Sequence, residues 1–140
     1  MAARCNESVR PSRRSRPLYE MQDHRRLQVY QTARELSLQV YEVAAALPPF
    51  ERYDLARQLR RAAISVGSNI AEGSGRTTAR DFCAYLSASL GSARELEFQL
   101  NHCERAMLAP VALIRPALET ARRVQPMLTR LILRIRGRDG

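Results

Sequence analysis

Residues 60–76 read RRAAISVGSNIAEGSGR. The stretch lies in a helical context, yet its inward-looking positions mix aliphatic residues with Ser65, Ser68, Asn69 and Glu72. An ordinary amphipathic helix carries aliphatic side chains at most such places. Gly67, Gly73 and Gly75 add close backbone approach, and the last two also suggest a helix stop. Glycine and inward polar groups lower helix stability, so a sequence that keeps them specifies one packing arrangement.

A second run, DFCAYLSASLGSARELEFQL, follows from Asp81 to Leu100. Together with SVGSNIAEGSGR it resembles the four-helix-bundle proteins named after intervening sequences in bacterial 23S ribosomal RNA. Their pattern is Ser-Ile-x-x-Asn-Ile-Ala-Glu-Gly after paired basic residues, then an aromatic-rich segment with Gly-Ser and Glu-Leu-Glu. Here Val66 replaces the usual Ile, and VYQTA (Val29 to Ala33) carries Tyr30 where members often have Trp. The similarity spans about residues 24–136. It implies homopentameric rings with basic surfaces. Related bundles are similar to the accessory subunits of diversity-generating retroelements, which serve reverse transcriptases.

The 140 residues suffice for one domain with one substantial core. Ala, Leu, Arg and Glu dominate, which favours helices. The formal charge is +9, and a surface that basic suits RNA, DNA or another acidic partner. All 23 basic residues are Arg. The guanidinium fork binds phosphate in a bidentate way, although a GC-rich coding bias explains the usage more simply. Three cysteines without CxxC spacing point to reduced thiols in a cytoplasmic protein, and the resemblance implies a bacterial one. No apolar run approaches the ~18 residues of a membrane helix, so no membrane partner is expected.

Residues 1–22 are rich in Arg, Ser and Pro and lack the apolar core of a secretory signal. They are expected to form a disordered basic extension, either an arm that holds RNA or sequence upstream of the natural product. The domain is expected over residues 23–137. Within it the apolar spacing predicts helices over about Arg26–Ala46, Glu51–Gly73, Thr78–Met107 and Val111–Gly137. Pro48 and Pro49 stop the first helix. Pro126 should kink the fourth, and Pro116 either interrupts it or marks its first turn. Short connections make consecutive helices antiparallel neighbours. The expected fold is all-α, an antiparallel up-down-up-down four-helix bundle.

Catalysis finds little support. His24 and His102 have no acidic or cysteine partner at repeated metal-ligand spacing, and Gly73-Ser74-Gly75-Arg76 lacks the strand and GK[ST] ending of a phosphate loop. No cofactor and no metal is expected. Asn69 with Glu72 and Ser92 with Glu95 lie three apart on facing helices, with Arg60, Arg61, Arg76 and Arg94 as available donors. They read as a partly buried polar network that fixes helix register rather than as a ligand site.

Two features point outward. Extra apolar residues beside each seam (Cys83, Leu90 and Phe98; Leu113, Ala117, Val124 and Leu131) suggest subunit contacts in a homo-oligomer. The last helix carries Arg115, Arg122, Arg123, Arg130, Arg134, Arg136 and Arg138 against only Glu119 and Asp139. That stripe is the expected phosphate-binding surface, with weak sequence preference because few aromatics stand ready to stack. The alternative is a protein-interaction scaffold, such as an accessory subunit of a reverse transcriptase.

Overall fold

Four segments repeat apolar residues every three or four positions, and each forms a helix in the computed structural model, which describes residues 27–139. Helix α1 (Gln28–Ala46) buries Val29, Ala33, Leu36, Val40 and Val43. It ends where Leu47, placed before Pro48, turns extended at φ −67°, ψ 152°. A 3-10 turn over Pro49–Glu51 leads to α2 (Leu55–Ser74), which starts at Leu55 rather than Glu51. The Glu51 carboxylate accepts the Leu55 N–H at 3.2 Å, capping the helix from outside instead of joining it. Helix α3 (Ala79–Arg105) opens as expected on Thr78, whose hydroxyl accepts the Asp81 N–H at 3.1 Å. It stops short of Met107, which adopts a left-handed φ of 52°. Leu108 N–H then reaches back to the Cys103 carbonyl at 2.9 Å, a closure that glycine usually provides. Helix α4 covers Val111–Asp139. The expected extension over residues 1–22 lies outside the described residues.

Contacts join α1 to α2, α2 to α3, α3 to α4 and α4 back to α1. The described chain is thus an all-α, up-down-up-down four-helix bundle with one shared core. Leu36, Leu59, Ile70, Phe82, Leu86, Leu96, Leu100, Ile114 and Leu128 are among its fully buried side chains. Truncating any of these leucines to alanine would cost about 2–5 kcal/mol. The second apolar rows also go inward: Cys83, Ala117, Val124 and Leu131 are buried, Leu90 and Leu113 half-buried, and of those seven residues only Phe98 stays exposed. Each helix of a closed square touches two neighbours, so it needs two adjoining apolar rows. These rows therefore carry no argument for subunit contacts.

Cys103 is buried at the end of α3, near enough to Glu51 to feel its charge. Burial first, then the Glu51 carboxylate, push its thiol from an ordinary 9.0 up to about 11.

Helix α4 runs unbroken through Pro116 and Pro126. Both prolines are exposed, so their rings face outward. The carbonyls they deprive of an amide, those of Ala112 and Arg122, also belong to exposed residues that water can reach. That explains how a helix of this length tolerates two prolines.

Candidate nucleic-acid interface

The organising stretch lies along α2 where it meets α3. Small residues let the two backbones close in, and their hydroxyls bridge the gap. Ser89, fully buried, donates to the Val66 carbonyl at 2.7 Å. The Ser65 and Ser92 hydroxyls meet at 2.8 Å. Asn69 Nδ2 donates to the Ser65 carbonyl at 2.8 Å and to its hydroxyl at 2.9 Å. At Gly73 a Cβ would sit 2.7 Å from Tyr85 Cβ and 3.3 Å from the Phe82 carbonyl, so only glycine fits. Gly91, beside Ser92 on α3, is exposed with nothing within 4 Å of the place a Cβ would take. The close contact lies at Gly73 and Ser89 instead.

The eight residues expected to form one network separate into smaller groups. Asn69 and Ser92 are joined through Ser65 and are half-buried. Glu72 pairs with Arg76 at 2.7 Å, and Arg76 also donates to the Tyr85 hydroxyl while stacking over that ring at 4.8 Å. Glu72 is 57% exposed, and Ser68 is exposed too, so neither looks inward as expected. Two residues on from buried Ile70, Glu72 stands about 200° round the helix from the core. Glu95 is exposed and accepts from Gln99 Nε2 at 3.0 Å. Arg60 lies over the Tyr41 ring at 5.8 Å, and Arg61 and Arg94 are exposed. The arrangement buckles α2 to α3.

The arginines of α4 divide along its length. In the first half, Arg115 pairs with Glu104 at 3.1 Å, Arg122 with Glu97 at 3.7 Å and Arg123 with Glu35 at 3.0 Å. Exposed pairs like these contribute little stability, at most about 1 kcal/mol each. Their consequence is electrostatic, because each guanidinium is offset by its own chain. In the second half, Arg130, Arg134 and Arg136 are exposed and carry no ion pair among the described residues. Arg138 lies beyond the side chains described. Arg130 and Arg134 flank a cleft against Leu27, Val29, Met127 and Leu131. On the other side of α4, Arg136 shares a cleft with Arg80 at the start of α3.

Arg80 was not expected there. The antiparallel order of α3 and α4 sets the first turn of one beside the last turns of the other, so topology alone could have found it. Such a surface can hold phosphates through charge and guanidinium forks. Among the described residues no three His, Cys, Asp or Glu side chains gather where a metal could bind, and no helix is long and apolar enough to cross a membrane.

Comparison with known proteins agrees with this architecture. A crystal structure of a protein with unknown function, from the S23 ribosomal protein family of Bacteroides thetaiotaomicron, superposes with a TM-score of 0.69. It is 20% identical, and the match covers 74% of this chain and 97% of that one, a likeness of fold. No curated protein matches the chain. The 23S rRNA-intervening sequence protein family matches residues 25–130, which include the whole α2–α3 seam. The chain belongs to the 23S rRNA-intervening sequence protein family.

Proposed function

We propose that this protein is a non-enzymatic, homo-oligomeric bundle that binds RNA or DNA through backbone phosphates with little sequence preference. The observation that carries this reading is the division of α4. Arg130, Arg134 and Arg136 carry no ion pair among the described residues at one end of the bundle, while the arginines nearer the other end are offset by Glu35, Glu97 and Glu104. The resemblance to ring-forming relatives favours a homopentamer, in which the basic end repeats on every subunit and modest contacts add into avidity. Light scattering should then give a mass several times 15.9 kDa.

Binding measured across a salt series tests the reading. Affinity should fall linearly on a log–log plot, each phosphate neutralised adding about 0.7 to the slope on a single strand. Replacing Arg130, Arg134 and Arg136 together with Gln should flatten the slope by about two for each subunit engaged. Replacing the ion-paired Arg123 should leave it nearly unchanged.

A second reading, a protein-interaction scaffold or an accessory subunit of a reverse transcriptase, draws support from the opposite end. Phe50 (70% exposed) and Tyr53 (75%) stand on the α1–α2 turn, Met107 (88%) on the α3–α4 turn and Val111 (50%) at the first residue of α4. The antiparallel order of the four helices puts these two turns at one end of the bundle. Aromatic and methionine side chains such as Phe50, Tyr53 and Met107 are enriched in protein interfaces. Absence of nucleic-acid affinity even at low salt would leave this reading in place of the first.

A further inference from the structure

The cleft between the start of α3 and the end of α4 has a chemistry of its own. Its volume is about 410 Å³, near the lower end for small-molecule sites. Arg80 and Arg136 bring cationic side chains to it, Ala79, Cys83 and Ala84 supply an apolar lining, and Ser87 supplies a hydroxyl. Neither arginine has an ion pair among the described residues. At the start of α3 the Thr78 hydroxyl takes only the Asp81 N–H, so the N–H groups of Ala79 and Arg80 have no partner within the helix.

We infer that this cleft binds a phosphomonoester, supplied as the 5′-terminal phosphate of a nucleic-acid strand or as a free nucleoside monophosphate. A terminal phosphate carries about 1.5 to 2 negative charges at neutral pH, whereas a phosphate within a strand carries one. Two guanidiniums from different helices match the dianion better, and each can offer a forked pair of donors. The apolar lining suits the sugar and base edge that follow the phosphate, and a bare inorganic ion would leave it unused. The Asp81 carboxylate in the same turn opposes the anion and limits the affinity. For a strand, the inference rests on the nucleic-acid reading above; for the free nucleotide it does not.

The test compares one short single-stranded RNA in two forms, with a 5′-phosphate and with a 5′-hydroxyl, by fluorescence anisotropy on the full chain. The phosphorylated form should bind roughly three- to tenfold tighter, as expected for charge-assisted contacts at an exposed site. Arg80→Gln and Arg136→Gln should each remove that preference, while Arg130→Gln weakens both forms alike. Ser87→Leu, at an exposed helical position, should also remove it by filling the cleft without touching charge.

Equal affinity for the two RNAs, or a preference that survives Ser87→Leu, overturns the strand form of the inference. Titration with adenosine monophosphate separates the two ideas. If neither RNA binds at low salt but the monophosphate binds and is lost in Arg80→Gln, the cleft stands and the nucleic-acid reading falls. If the RNAs bind equally and the monophosphate does not bind, the reverse holds. If nothing binds, both are wrong.

Discussion

Helix α2 meets its two neighbours in opposite ways. Towards α3 the backbones close to the point where a Cβ at Gly73 would overlap Tyr85, and serine hydroxyls bind across the gap. Towards α1 the packing is looser. A Cβ at Gly67 would meet nothing nearer than Ala33 Cβ at 3.9 Å, an ordinary contact, and a groove lined by Ala33, Ser37, Ala63 and Gly67 stays open outside. The same helix therefore carries one side that fixes register and one that merely excludes water. The unusual polar and glycine content belongs chiefly to the first.

The largest expected effect comes from closing the tight side. Gly73→Ala should destabilise the bundle by about 2–3 kcal/mol, since Phe82 and Tyr85 must move to admit a methyl group. Thermal unfolding would register a drop of roughly 10 °C. An unchanged melting temperature would mean that α2 and α3 are not so close. Next comes the Ser65–Ser92 bridge, where Ser92→Ala should cost about 1 kcal/mol and leave Ser65 with Asn69 as partner. A double-mutant cycle with Ser65→Ala isolates the bridge itself.

The loose side should respond with the opposite sign. Gly67→Ala replaces a mid-helix glycine where space allows, so it should stabilise the isolated bundle by about 0.5–1 kcal/mol. If it instead breaks up an oligomer in light scattering, another subunit approaches that backbone. The smallest effect belongs to Glu72→Gln, expected to change stability by less than about 0.5 kcal/mol because the pair with Arg76 is exposed on both sides. A loss as large as that of Gly73→Ala would contradict the outward placement of Glu72.

Much of the bundle was legible in the sequence, because periodicity is a direct record of which side faces the core. Val29, Leu36, Leu59, Val66, Leu86 and Leu128 occupy the interior as their spacing requires. The misplacements fall where periodicity runs past a helix end or over its flank. Met107 and Val111 continue the seams of α3 and α4, yet they sit at a turn and are exposed. Their spacing holds no mark of the left-handed residue that closes α3. Asn69 and Glu72 share a helix surface by their spacing, but that surface straddles the edge of the contact, and only Asn69 stays inside it.

The candidate interface was less legible, because charge counting sees arginines and not their neighbours. The carboxylates that offset Arg115, Arg122 and Arg123 come from α1 and α3, so the free part of the stripe emerged only with the packing.

The buried Cys103 thiol makes the bundle a reporter of its own opening. With its pKa held at about 11, only about one molecule in a thousand carries a thiolate at pH 8, and core packing shields even that fraction. Alkylating reagents therefore reach Cys103 chiefly when the end of α3 lifts away from the Glu51 turn. In a Cys5→Ser chain, labelling rates at Cys103 and Cys83 would time the opening of the two ends of α3 separately. The same thiol sets an alkaline limit. Its contribution to stability is fully present below pH 9 and is lost as the pH climbs through 11, because the unfolded chain releases the proton first.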